Sequence, residues 1–238
     1  MQADLRTATL LGARALTVAT ALTSQSSTRV HSISWLSATH VAQQLDAALA
    51  EALPSAVKIG MIASSAIATR VARYLERLPA STPVVYDPVF AASADGTALW
   101  HGRRQPTRNS LRALLAHVTV LTPTWREAAA LLQCTVPASA DQAVALAQQL
   151  LPSLAPGATV VLKGGDAETS SDTLTDRIVT QHTVHNIVRE RLAQSMHGTG
   201  CTFDSALAVE LARGLAAAQA ARRAGALVAT QIARQHNS

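Results

Sequence analysis

Apolar positions along the chain fall into two rhythms. Five short runs are apolar almost throughout: ALTVATALT (15–23), AVKIGMI (56–62), PVVYDPV (83–89), VTVLTPT (118–124) and ATVVLKGG (158–165). Runs of this length without alternation predict strands covered on both faces. Between them, residues 37–53, 64–78, 108–117, 125–134 and 139–153 repeat apolar side chains three and four positions apart, the spacing of one helix face. Ser139 with Gln142 forms a capping box for the last of these segments, and Thr124 with Glu127 forms another. Strands alternating with helices predict an α/β fold with a mostly parallel sheet.

After Lys163 the rhythm changes. Residues 172–191 alternate apolar and polar positions with no helical period, which predicts one or two antiparallel strands with a wet face. A covering helix is expected near 215–235, where alanine dominates. No repeat and no low-complexity linker interrupts the 238 residues, so one domain spanning 1–238 is expected.

Composition removes several function classes. No apolar run approaches the length of a membrane span. Cys134 and Cys201 lie far apart behind a polar, charged start, MQADLRT, which points to a reducing, cytoplasmic setting rather than a disulfide framework. The net charge is +5, but the arginines are scattered. Arg103, Arg104 and Arg108 form the tightest group, and Arg70, Arg73 and Arg77 share one helix stripe, so no nucleic-acid partner is expected. Of 20 basic residues only Lys58 and Lys163 are lysine, which makes their placement informative.

In open α/β sheets, ligands gather beyond the carboxyl ends of strands. Those ends carry Gln25, Met61, Asp87, the Thr122–Glu127 turn and Lys163-Gly164-Gly165. The segment HGTGCTFDSALAVELARG (197–214) sets two glycines and then a cysteine at the mouth of an apolar helix. A helix starting near Gly200 turns unsatisfied N–H groups outward and forms an anion site. The helix dipole would lower the Cys201 thiol pKa and suit it to take a proton from a hydroxyl. The plainer alternative is a helix start with a small buried cysteine. Lys163 fits a phosphate by simple charge, or else is the exposed lysine of a tight turn. Asp87 in YDPVF and Glu127 in TPTWRE offer oxygen ligands to Mg²⁺, although Thr124 already accounts for Glu127 as a cap. Neither a GxxxxGK[ST] loop nor a GxGxxG fingerprint is present, and the histidines show no metal spacing.

QADL, TALTSQ, VKIGM, DPVF, LTPTWREA, LKGGD and HGTGCTF follow one another in an order and spacing that resembles one family. It is that of the hydroxymethylpyrimidine/phosphomethylpyrimidine kinases of thiamine biosynthesis, in the ribokinase-like superfamily. The resemblance covers essentially the whole chain. It implies a three-layer α/β/α fold with helices on both faces of the sheet, and a homodimer. It also implies Mg²⁺-assisted phosphoryl transfer from ATP to the hydroxymethyl group of a pyrimidine, and then to its monophosphate. By position, Cys201 would activate the substrate hydroxyl, and Gly198, Thr199 and Gly200 would form the anion hole. Gln25 and Asp4 would bind the pyrimidine against an apolar wall of Met61 and Val89. Lys163, Gly164 and Thr124 would lie at the ATP phosphates, with Asp87 and Glu127 on the Mg²⁺ side.

Three departures stand out. The family begins with a strand and a glycine-rich loop just before QADL, where this sequence opens at Met1-Gln2, so an N-terminally truncated domain with a start assigned too late is expected. Thr124 stands where the family has asparagine, and AQSM (193–196) replaces an asparagine-containing approach to the GTGC turn. The alternatives are a pyridoxal kinase of the same superfamily and an inactive pyrimidine-binding remnant.

Overall fold

The computed structural model describes residues 1–26, 28–92, 94–101, 106–164, 172–192 and 198–236. Six strands form one sheet, in chain order across it: β3 (Val57–Ile59), β4 (Val84–Tyr86), β5 (Val120–Leu121), β6 (Thr159–Leu162), β7 (Thr173–Val179) and β8 (Val184–Glu190). Strands β3 to β6 pair in parallel, and β7 and β8 add on antiparallel. The change of direction falls where the apolar runs give way to alternation after Lys163.

The period of two along each strand divides the core. Val84, Tyr86, Leu121, Val160 and Leu162 point to one face. There they meet α2 (Ala38–Glu51), α3 (Ser65–Leu75), α4 (Arg112–Leu115), α5 (Trp125–Leu132) and α6 (Ala140–Leu150). Val85, Val120, Val161, Ile178 and Ile187 point the other way, onto α7 (Thr199–Ala212) and α8 (Ala217–His236). Helices on both faces give the expected three layers. Ser37, Ser64, Thr124 and Ser139 each accept a hydrogen bond from the third residue of the helix that follows. The capping box holds in full at Thr124. At Ser139 only half of it forms, because Gln142 reaches back to the Ala138 N–H instead.

The structure departs from the sequence pattern in three places. The run 15–23 is not a central strand: β1 (Ala21–Gln25) pairs antiparallel with β2 (Val30–Trp35) in a separate ribbon. Leu22, Thr23, Ser24 and Gln25 are exposed, so this strand lacks the double cover that the apolar run implied. The helix expected over 108–117 shrinks to the four residues of α4. Thr107 and Ser110 hold a turn ahead of it by bonding each other's backbone groups. Finally, the opening residues form α1 (Gln2–Leu10), which packs on α7 and had no counterpart in the apolar pattern.

Candidate active site

Three strand ends and one helix start converge. Asp87 follows β4, and its backbone N–H donates to the Ile59 carbonyl at 2.8 Å. Lys163 follows β6 and bridges in parallel to Thr124, the cap of α5. Both lead toward the first turn of α7. Gly198 caps that helix at φ 83°, a left-handed backbone that a side chain would strain. The first intrahelical bond runs from the Thr202 N–H to the Gly198 carbonyl, so the N–H groups of Thr199, Gly200 and Cys201 have no intrahelical acceptor.

Under that turn lies a cluster of charges. Lys163 Nζ donates to Asp87 Oδ1 at 2.8 Å and stands 3.6 Å from Asp204 Oδ2. A Cβ on Gly200 would lie 3.8 Å from Asp87 Oδ2 and 3.9 Å from Lys163 Nζ, so the helix start rests directly on the pair. Burial works against the Lys163 ammonium, yet Asp204, Asp87 and Glu127 together hold its pKa above the ordinary lysine range. One ammonium cannot neutralise every carboxylate around it. Burial opposes ionisation of Asp87, but Lys163 at contact distance wins and lowers its pKa. Asp204, fully buried, is pushed well above the carboxylate range by burial and by Asp87. Neither of its oxygens accepts a hydrogen bond among the described residues. Burial takes Glu127 up to about 7, with Lys163 opposing and Asp87 adding to the rise.

A second cation sits beside Cys201. Lys58 of β3 donates to Asp4 Oδ1 at 2.8 Å, and the Ser205 hydroxyl donates to the same oxygen at 2.7 Å. Ser205 lies one helical turn after Cys201, so α1, β3 and α7 meet on the cysteine's face of α7. Lys58 Nζ passes 3.1 Å from where a Gly60 Cβ would be, which leaves little room for any other residue at 60. Burial alone would lift Asp4, but Lys58, then the Met1 ammonium 2.7 Å from Oδ2, then Ser205 hold its carboxyl far below the usual range. Lys58 is raised against burial by Cys201, Asp4, Asp204 and Asp87. The expectation of a lowered Cys201 pKa is overturned. Burial pushes the thiol up, and Lys58 offsets that only in part.

The structure thus gathers Asp4, Asp87, Thr124, Glu127, Lys163, Gly164, Gly198, Thr199, Gly200 and Cys201 around one helix start. Met61 and Val89 pack together against Val30, Ala92 and Leu99, as one apolar wall. Gln25 is exposed at the end of β1, in register with Val30 of that wall. Lys58, Asp204 and Ser205 escaped the sequence pattern as site residues. The scarcity of lysine marked the first. The others sit in a helix whose residues 202–208 are all buried, where a carboxylate is itself a signal. Gly165, Asp166, residues 193–196 and His197 lie outside the described residues. Among the described residues, no group of three His, Cys, Asp or Glu side chains converges as a metal cage, and no helix is long and apolar enough to cross a membrane.

The family profile described as Phosphomethylpyrimidine kinase matches residues 1–238. The chain belongs to this family. The Escherichia coli (strain K12) hydroxymethylpyrimidine/phosphomethylpyrimidine kinase is 34% identical over 210 residues, covering 87% of this chain and 76% of that protein. The thiamine biosynthesis bifunctional protein ThiED of Geobacter sulfurreducens is 34% identical over 239 residues, covering 98% of this chain, but the chain spans only 46% of that protein. Among solved structures, the Staphylococcus aureus pyridoxal kinase in complex with AMP-PCP and pyridoxal superposes with a TM-score of 0.82 at 27% identity, covering 98% of this chain and 81% of that one. The three-layer α/β/α architecture of this phosphomethylpyrimidine kinase family member is ribokinase-like, and the chain is a phosphotransferase of the hydroxymethylpyrimidine/phosphomethylpyrimidine kinase type.

Proposed function

We propose that the protein transfers a phosphoryl group from ATP to 4-amino-5-hydroxymethyl-2-methylpyrimidine and then to the resulting monophosphate, in thiamine diphosphate biosynthesis. One observation carries the reading: the Lys163–Asp87 pair lies beneath Gly200 at the open start of α7, one residue from Cys201. Phosphoryl transfer depends mainly on alignment and on neutralising charge. The N–H groups at Gly198, Thr199 and Gly200 form the cradle for the migrating group. Lys163, Gly164 and Thr124 face the ATP phosphates. The pyrimidine lies against Met61 and Val89, with Gln25 and Asp4 as its polar partners.

The substrate hydroxyl gives its proton to the Cys201 thiolate, its oxygen forms the new bond to phosphorus, and the bond from phosphorus to ADP breaks. Burial raises the thiol pKa and so favours the protonated thiol in the protein alone. The Lys58 ammonium is the group that favours the thiolate. The carboxylates fit Mg²⁺, which keeps much of its water and takes one or two carboxylates beside substrate phosphates. Buried Asp204, 3.6 Å from Lys163 and pushed toward its protonated form by burial and Asp87, shows how crowded with carboxylates the site is. Asp87 and Glu127 would hold the ion, which neutralises phosphate charge when bound.

A second reading, a pyridoxal kinase, is favoured by the likeness to the Staphylococcus aureus structure. Comparing ATP-dependent turnover of the pyrimidine and of pyridoxal separates the two, and faster phosphorylation of pyridoxal overturns the first. We also propose a single domain, a homodimer and a cytoplasmic setting. The exposed β1–β2 ribbon supports the second and the free cysteines Cys134 and Cys201 the third. Light scattering in solution tests the dimer.

A further inference from the structure

Gly164, next to Lys163, is clamped from two sides. A Cβ there would lie 2.2 Å from the Thr175 carbonyl oxygen, so only glycine fits against the β7 backbone. From behind, the Gly164 N–H donates to Asp176 Oδ1 at 3.2 Å. Asp176 is 3% exposed, and its other oxygen pairs with the Arg189 guanidinium of β8. In the β7–β8 ladder Arg189 stands opposite Leu174, two residues before Asp176 on the same face, so the pair is a cross-strand diagonal. Arg189 in turn lies on α8: a Cβ on Gly225 would come 2.9 Å from its Cδ and Nε. A chain of contacts from α8 through Arg189 of β8 and Asp176 of β7 therefore ends on one backbone N–H at the edge of the site. The alternation of β7 sets this aspartate on the covered face, between Leu174 and buried Ile178.

We infer that Asp176 is a positioning residue, which fixes the Lys163–Gly164 turn, and with it the Lys163 ammonium, from a place on β7 that no ligand reaches. Arg189 and Gly225 hold Asp176 in turn. The value of this to the reaction rests on the reading of Lys163 as the lysine facing the phosphates.

The chain has only two lysines, Lys58 and Lys163, so protein labelled with ¹⁵N at lysine gives two side-chain ammonium signals, assigned by replacing each lysine with arginine. In Asp176→Ala the Lys163 signal is expected to shift or broaden while that of Lys58 stays. AMP-PCP binding, read by calorimetry, is expected to weaken about tenfold, the fold-change that one lost hydrogen bond to a charged group produces. Gly225→Ala leaves Asp176 and the turn intact but crowds Arg189. It is expected to move the Lys163 signal in the same direction by less, and it decides the matter alone if Asp176→Ala does not fold. A folded variant in which neither lysine signal moves, or both move together, overturns the role. Wild-type protein that fails to bind AMP-PCP would refute the nucleotide reading of the site, and the lysine signals would still decide the role of Asp176.

Discussion

Replacing Lys58 by methionine tests the electrostatics of the cysteine side of the site. Methionine keeps much of the stem and removes the ammonium that donates to Asp4 Oδ1 at 2.8 Å. Asp4 then retains the Ser205 hydroxyl and the Met1 ammonium, 2.7 Å from Oδ2, but loses its buried cation, in a place where its side chain is 22% exposed. Orphaning one member of a fully buried ion pair costs about 3–5 kcal/mol, and the residual hydration of Asp4 with the remaining Met1 ammonium brings the estimate here to about 1–2 kcal/mol. The sign of the pH dependence follows from Asp4. In the wild type its folded pKa is depressed, so its contribution is present above the unfolded value of about 3.9 and is lost only in strong acid. In Lys58→Met, burial acts with far less opposition and raises that pKa, so the loss is largest at neutral pH and shrinks as Asp4 protonates toward pH 4. Urea unfolding of both proteins at pH 7 and pH 4.5 reads the difference. An equal loss at both pH values, or none at pH 7, would refute the ion-pair argument.

Other expectations follow from the same geometry. Cys201→Ala should fold with an unchanged Tm and lose about 10²–10⁴-fold in kcat, as when a positioned proton acceptor is removed; unchanged turnover would take Cys201 out of the chemistry. Because burial lifts the Cys201 thiol, wild-type kcat should rise between pH 7 and pH 9 as the thiolate fraction grows, and a flat profile in steady-state assays argues against a thiolate base. Gly198→Ala forces a side chain into a φ of 83° and should lower stability by about 1–2 kcal/mol in denaturant unfolding. Gly200→Ala meets only ordinary contacts, at 3.8 and 3.9 Å, so it should leave stability nearly unchanged yet weaken AMP-PCP binding, because its methyl enters the cradle.

The strand ends were legible because each breaks an apolar run with a charged residue or a turn: Asp87 before a proline, Lys163 before glycine, Thr124 and Glu127 as a capping box. Their convergence follows from the parallel sheet. The ribbon was not legible. The run 15–23 is apolar through alanine, threonine and valine, whose small side chains carry little information about cover, and tertiary placement left β1 exposed. Lys58, mid-strand, and Ser205, mid-helix, acquire their roles only through Asp4, which Ser205 meets across 201 residues. The direction of the Cys201 shift depends on how deeply the thiol is buried, and burial with the nearby Asp4, Asp87 and Asp204 outweighs Lys58 there. Asp176 shares the apolar face of Leu174 and Ile178, and only the fold shows that Arg189 pairs with it there.

The most direct measurement is pyrimidine-dependent ATP consumption, with the product followed by ³¹P NMR, on wild-type protein beside Lys163→Met and Cys201→Ala. ADP should appear in proportion to a new pyrimidine phosphomonoester, and both variants should lose most of that rate. Folded wild-type protein whose ATP consumption is indifferent to the pyrimidine, or variants that turn over as fast as the wild type, would contradict the account.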